Sequence, residues 1–221
     1  MFNRYLTDLT ALFFPKTCAG CDTPLVYGEQ LICTACWYHL PTVFSHDQVS
    51  RLCTGLSASF LYVQDSSRVQ RIIHQLKYAN RPEIGTLLGQ KYGMLLQQMR
   101  PFNQADALIP IPLHPQKLRK RGYNQSTAIA RGLTNRLEIP IVGNCLIRHR
   151  ITESQTTKSR YERYQNMEAA FQLRNAEMIV GKRLLLVDDV LTTGATLEAC
   201  AAVLLAGGAH TVNAVTIARA L

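Results

Sequence analysis

Arg183-Leu184-Leu185-Leu186-Val187-Asp188-Asp189-Val190-Leu191-Thr192-Thr193-Gly194-Ala195-Thr196 reads as a strand, a turn and the start of a helix. Leu184 to Val187 is an unbroken apolar run, as in a parallel strand covered on both faces. A helix follows over roughly Ala195 to Ala206 and stops at Gly207-Gly208. Between strand and helix, the backbone N–H groups of Thr193 to Thr196 point into the space ahead of the helix, at the positive end of its dipole. With the Thr193 and Thr196 hydroxyls they form a cradle for a phosphate. Asp188 and Asp189 fall just upstream, where a sugar attached to that phosphate places its hydroxyls. The pattern suits a ribose 5-phosphate.

Paired aspartates also serve as turn and cap residues, and Thr-Gly is a common turn pair. The order found here asks for more: a hydrophobic strand, two acids, a short spacer, Thr193-Gly194-Ala195-Thr196, then a helix. The segment resembles the 5-phosphoribosyl 1-pyrophosphate (PRPP) signature of type I phosphoribosyltransferases.

A second pattern is Cys18-Ala19-Gly20-Cys21 followed, after eleven residues, by Cys33-Thr34-Ala35-Cys36. Each short turn sets two sulfurs on one side of a metal, and the paired knuckles suit structural Zn²⁺ in a four-thiolate site. Disulfides compete with this assignment. The charges of the opening residues interrupt any apolar run, so no secretory signal is visible and a cytoplasmic address, which keeps thiols reduced, is expected. Cys53, His39 and His46 are alternative ligands by type, but isolated Cys and His more often pack. Cys145 and Cys200 sit in apolar contexts and are expected in the core.

The 221 residues are 47% hydrophobic, enough for one full domain and a small appendage. We divide them into an N-terminal helix and four-cysteine zinc-binding module over residues 1–54 and a phosphoribosyltransferase-like domain over residues 55–221. No apolar run is long enough to span a bilayer. The formal charge of +9 is unevenly spread: residues 110–183 carry +9, against +2 before them and −2 after. A polyanionic partner is expected.

Phe2, Leu6, Leu9, Leu12 and Phe13 fall at helical spacing. Strands are expected at Leu56 to Val63, Ala105 to Ile111, Asn144 to Arg148 and Thr211 to Ile217. Helices are expected from a Ser66 or Ser67 cap to Tyr78, from Glu83 to Met99 and from Asn124 to Leu137. This alternation predicts an α/β fold, a mostly parallel sheet with helices on both faces.

Two basic stretches flank the site. Ile109 to Gln125 leaves the carboxyl end of a strand, where open α/β sheets bind ligands. Its Lys117, Arg119, Lys120 and Arg121 read as a loop able to hold pyrophosphate or a nucleic-acid backbone, with Tyr123 placed to stack on a base. A merely solvated basic loop is the plainer alternative. Residues 148–166 are long, polar and basic and read as a lid, in which Lys158, Arg160 and Arg163 supply cations and Tyr161 and Tyr164 stack or pack.

The ordered motifs together, from the zinc knuckles through Ile109-Pro110-Ile111-Pro112-Leu113-His114-Pro115 and Arg121-Gly122-Tyr123-Asn124-Gln125 to the Asp188–Thr196 segment, resemble the ComF family over nearly the whole chain. Tyr123 stands where that family more often has Phe. The resemblance implies a type I phosphoribosyltransferase-like fold and, for its competence members, the handling of single-stranded DNA in natural transformation. Protein partners such as a DNA helicase or a DNA-processing protein are implied with it. Carried onto this chain, it gives Asp188 and Asp189 the ribose hydroxyls and Thr192, Thr193, Gly194, Ala195 and Thr196 the 5-phosphate. Mg²⁺ accompanies PRPP, the segment after Pro112 serves pyrophosphate, and residues around 150–165 form a hood. Purine-salvage relatives usually carry an acid where this chain has Thr192, which argues against ordinary purine salvage. Three function classes follow: a PRPP- and single-stranded-DNA-binding competence protein able to transfer a phosphoribosyl group, a small-molecule phosphoribosyltransferase, and a noncatalytic PRPP-sensing adaptor.

Overall fold

The computed structural model describes residues 15–42, 50–52, 55–63, 67–149 and 170–220. The expected N-terminal amphipathic helix, His46, Cys53, Ser66 and the hood with Lys158, Arg160 and Arg163 lie outside the described residues.

After the knuckle segment comes a short helix α1 (Thr34–His39), then strands β1 (Ser50–Leu52) and β2 (Gly55–Val63). Helices α2 (Arg68–Tyr78) and α3 (Pro82–Leu96), strand β3 (Ala107–Pro110), and helices α4 (Pro115–Arg121) and α5 (Gln125–Leu137) follow. Strands β4 (Leu146–Arg148), β5 (Phe171–Leu173) and β6 (Arg183–Leu191), helix α6 (Ala195–Ala206) and strand β7 (Thr211–Ala220) complete it. The main sheet runs β1-β2-β7-β6-β3. Its β2–β7, β7–β6 and β6–β3 pairings are parallel, and β1 lies antiparallel on the edge. The expected Asn144–Arg148 strand shortens to β4 and leaves the main sheet, pairing with β5 in a separate antiparallel ribbon.

The apolar run of β6 is explained by what covers it. Leu185 and Val187 enter one core with α2, α3 and α5, whereas Leu184 and Leu186 enter a second with α6 and the β4–β5 ribbon. Both faces are dry, so alternation disappears from the sequence. Cys145 and Cys200 are buried in the second core, as expected. At the amino end of the β3–β6 pair, Arg183 donates to both carboxylate oxygens of Asp106, at 2.7 and 3.1 Å. That pair holds the Asp106 carboxyl down at about 2.

Helices α3 and α5 meet almost backbone to backbone. Gly85, Gly89 and Gly93 repeat every fourth residue along α3, forming a groove on one face. A Cβ built on Gly89 would stand 2.2 Å from the Ile129 carbonyl oxygen, and one on Gly132 would stand 2.1 Å from that of Thr86. The contact fixes where α5 begins, and α5 begins beside the carboxyl end of β6.

Gly89→Ala separates two effects of opposite sign. In an open helix the change stabilises by about 0.5–1 kcal/mol. Here the methyl meets a carbonyl that cannot yield without moving α5, and overpacking costs about 1–3 kcal/mol. Denaturant unfolding should show a net loss; a variant as stable as wild type would contradict this packing.

Candidate functional site

Strand β6 carries Asp188 and Asp189 to its carboxyl end, and Thr192, Thr193 and Gly194 form the turn into α6. Gly194 caps α6 at φ 80°, a left-handed conformation that suits glycine, and no side chain caps the helix. The nearest substitute is a long 3.5 Å contact from the Ala195 amide to Thr193 Oγ1. The first-turn amides therefore remain available to an anion.

The two acids face different partners. Asp188 Oδ1 accepts from Ser126 Oγ at 3.0 Å and from the Asp189 amide at 2.9 Å. Burial, reinforced by the neighbouring Asp189 charge, pushes the Asp188 carboxyl up to about 7. Asp189, 4% exposed, pairs with Lys77 Nζ at 3.1 Å through Oδ1, while its Oδ2 is buried without a hydrogen-bond partner. An unsatisfied buried carboxylate oxygen is costly in a native site.

The cations around this pair come from several elements. Lys77 lies in the last turn of α2, Lys117 and Arg121 lie on α4, and Arg148 ends β4. Partial burial lowers the Lys117 ammonium, as do the positive charges of Arg148, Arg121 and Lys77. Burial likewise lowers Arg148, whose guanidinium lies 5.3 Å from the Phe171 ring centroid. Lys77 and Ser126 join the site without any announcement in the sequence. Neither carries a local signal, because each meets an aspartate far away in the chain.

The basic segment expected as a loop is instead helix α4. His114 caps it by accepting the Gln116 amide at 3.2 Å, Pro115 begins it, and Gly122 ends it at φ 81°. Arg119 and Lys120 are exposed on it. The following residues form a joint. Arg121 donates to Gln125 Oε1, and the Tyr123 hydroxyl donates to the Leu76 carbonyl one residue before Lys77. Asn124 accepts the Ser126 amide at 2.9 Å and donates to the Ile111 carbonyl at 2.9 Å. Tyr123 is thus half-buried against the first core, with its hydroxyl turned inward.

The four knuckle cysteines form a second candidate centre. Their Sγ atoms all lie within 4.8 Å of one another, and none is in a disulfide. A Zn–S bond of about 2.3 Å puts the sulfurs of a regular tetrahedron about 3.8 Å apart. Cys21 and Cys33 Sγ are 3.7 Å apart. The amides of Gly20 and Cys33 point at Cys18 Sγ, at 3.3 and 3.2 Å, and that of Cys36 at Cys33 Sγ, at 3.4 Å. Such donors stabilise thiolates, so the set fits a metal ion. His39 is not part of the cluster. The knuckle is not a loose appendage: Cys18, Cys33 and Cys36 share a core with Ile72 of α2.

A family model described as phosphoribosyl transferase domain matches residues 122–221. DNA utilization protein YhgH of Escherichia coli K12 is 29% identical over 95% of this chain and 100% of its own length. Competence protein F of Haemophilus influenzae is 31% identical over 67% of each chain. Competence protein ComFC of Bacillus subtilis is 28% identical over 98% of this chain and 92% of its own. Among solved structures, the allosteric regulatory enzyme of purine biosynthesis aligns with 64% of this chain and 29% of its own, at 21% identity and a TM-score of 0.44. No helix among the described residues is long and apolar enough to cross a membrane. With its parallel sheet, its cysteine cluster and these relatives, the chain belongs to the ComF family and carries a phosphoribosyltransferase-type domain.

Proposed function

We propose that this protein binds PRPP with Mg²⁺ at the carboxyl end of β6 and handles single-stranded DNA in a ComF-type competence role. One observation carries this: a buried acid with an unused oxygen stands beside a helix start that no side chain caps. Such a site offers acceptors for sugar hydroxyls and donors for a phosphate, in the order that ribose 5-phosphate presents them. The phosphoribosyl transferase match supports the PRPP half, and the names of the competence and DNA-utilization relatives support the DNA half.

In this assignment Asp188 and Asp189 hold the ribose hydroxyls, and Thr192, Thr193, Gly194, Ala195 and Thr196 hold the 5-phosphate. Lys77, Lys117, Arg121 and Arg148 outnumber the two aspartates and face the diphosphate, to which the family resemblance also assigns Lys158, Arg160 and Arg163. Mg²⁺ arriving with PRPP would neutralise diphosphate charge. For displacement at ribose C1, the α4 cations stabilise the departing diphosphate. Thr192 offers no carboxylate to a purine base, which argues against ordinary purine salvage.

Calorimetric titration with Mg²⁺ and PRPP tests the pocket. Wild type should bind, and Asp188→Asn with Asp189→Asn should lose roughly 1.5–3 kcal/mol for each charged hydrogen bond removed. No heat at millimolar PRPP would overturn the assignment. Pyrophosphate release, measured with and without single-stranded DNA, separates a transferase from a noncatalytic sensor.

The Asp188 environment also sets a pH dependence. Its folded pKa, about 7, exceeds the ordinary 3.8, so the folded chain keeps a proton that the unfolded chain releases. The group costs nothing below 3.8, destabilises increasingly as pH rises through that window, and exerts its full cost above about 7. Asp188→Asn should therefore melt higher than wild type above pH 7, with the difference shrinking steadily as pH falls. A difference independent of pH would contradict the assignment.

For the metal, elemental analysis should find about one zinc per chain, held by Cys18, Cys21, Cys33 and Cys36. Because the sulfurs share a core with α2, chelation should lower the melting temperature of the whole chain in one transition. A metal-free wild type with unchanged melting would end the zinc proposal.

A further inference from the structure

At the end of α5 remote from Ser126, the knuckle turn Val26–Glu29 and helix α3 border an open cleft of about 590 Å³. Ser126 and Arg136, which lines the cleft, are ten residues apart on α5, about 15 Å at 1.5 Å per residue. Three of the large apolar side chains exposed on the described surface, Val26, Tyr27 and Met94, line this one cleft, and Tyr27 is fully exposed. Exposed apolar groups gathered in one place mark a contact surface.

The charges in the cleft define the contact further. Lys91 and Arg136 are exposed in its wall, and neither pairs with a carboxylate among the described residues. Glu29, the acid of the lining, turns its carboxylate to its own knuckle, accepting the Val26 amide at 3.1 Å and the Thr34 amide at 2.7 Å. The Lys91 ammonium lies 5.8 Å from the Trp37 ring centroid, which fixes its direction. Gly93 lets Arg136 lie close to α3: a Cβ there would stand 2.8 Å from Arg136 Cβ.

We propose that this cleft binds single-stranded DNA, with a base stacked on Tyr27 and the flanking phosphates on Lys91 and Arg136. A bare aromatic beside two uncompensated cations matches the unpaired bases and charged backbone of a single strand. A duplex hides its base faces from Tyr27. A peptide of acidic residues alone, such as polyglutamate, satisfies the cations but leaves Val26, Tyr27 and Met94 in water. The proposal rests on the DNA half of the function above and assigns a surface separate from the α4 cations.

Trp37 is the only tryptophan in the chain and lines the cleft, so its emission reports occupancy there. The experiment titrates the zinc-loaded full chain with labelled oligothymidylate, following label anisotropy and Trp37 emission together. Binding should quench Trp37. Lys91→Gln with Arg136→Gln should flatten the log–log salt slope by about 1.4, two contacts at about 0.7 each. Tyr27→Ala should weaken binding about tenfold while leaving the slope unchanged, because stacking releases no counterions. If anisotropy rises but Trp37 is unmoved and these variants bind like wild type, the cleft proposal falls. Loss of binding in Lys117→Gln with Arg121→Gln under those conditions would preserve the DNA function and move it to α4. Absence of any anisotropy change at low salt overturns both. Polyglutamate that binds the cleft equally well with or without Tyr27 would assign it to an acidic protein instead.

Discussion

Setting a half-buried Asp188 beside a buried Asp189 at the end of β6 imposes a condition that the neighbouring elements must meet. Two carboxylates withdrawn from water repel each other, and each loses hydration. The fold answers with Lys77 from α2 on one acid and a hydroxyl from α5 on the other. The remaining burden appears as the raised Asp188 carboxyl and the unpartnered Asp189 oxygen. Helices that bring these partners must end and begin at fixed points. The glycine contacts between α3 and α5 and the Tyr123 hydroxyl on the Leu76 carbonyl therefore serve the same local requirement.

Much of the architecture is legible in the chain because its signals are local. The apolar run of β6, the Gly194 turn and the Gly207 stop place β6 and α6 almost to the residue. Ser67 and Pro82 do the same for the starts of α2 and α3. Helix α4 reads as a loop in sequence, although His114, Pro115 and Gly122 carry ordinary start and stop signals. Its run of charge suggests solvated chain, and a seven-residue helix with no buried residue has no apolar stripe to announce it. The acidic pair is visible in sequence, but its counter-ions are not. Lys77 and Arg148 reach it only through tertiary structure.

The segment Arg121 to Ser126 shows how one motif can look like a binding element and also serve as a joint. Each side chain from Arg121 through Ser126, glycine aside, makes a contact that ties α2, β3, α4, α5 or β6 together. Phe at position 123 would fill the same half-buried space and lose only the hydroxyl contact with α2. An aromatic beside basic residues suggests stacking on a ligand when read in one dimension. In three dimensions its polar end faces the protein, while Tyr27, in a knuckle turn without basic neighbours in sequence, is one of the tyrosines left bare, with Tyr38 and Tyr78.

Helix α5 spans this arrangement from end to end. Ser126, in its first turn, holds an aspartate, and Arg136, in its last, borders the knuckle cleft. Between them, Gly132 and Ile129 press on the α3 backbone with no side-chain cushion. Such contact leaves no slack for the two ends to adjust separately, because packed backbone moves as a block. The helix is therefore a mechanical strut: displacement at the aspartate end carries Arg136 with it, and force on the knuckle end is delivered to the aspartates.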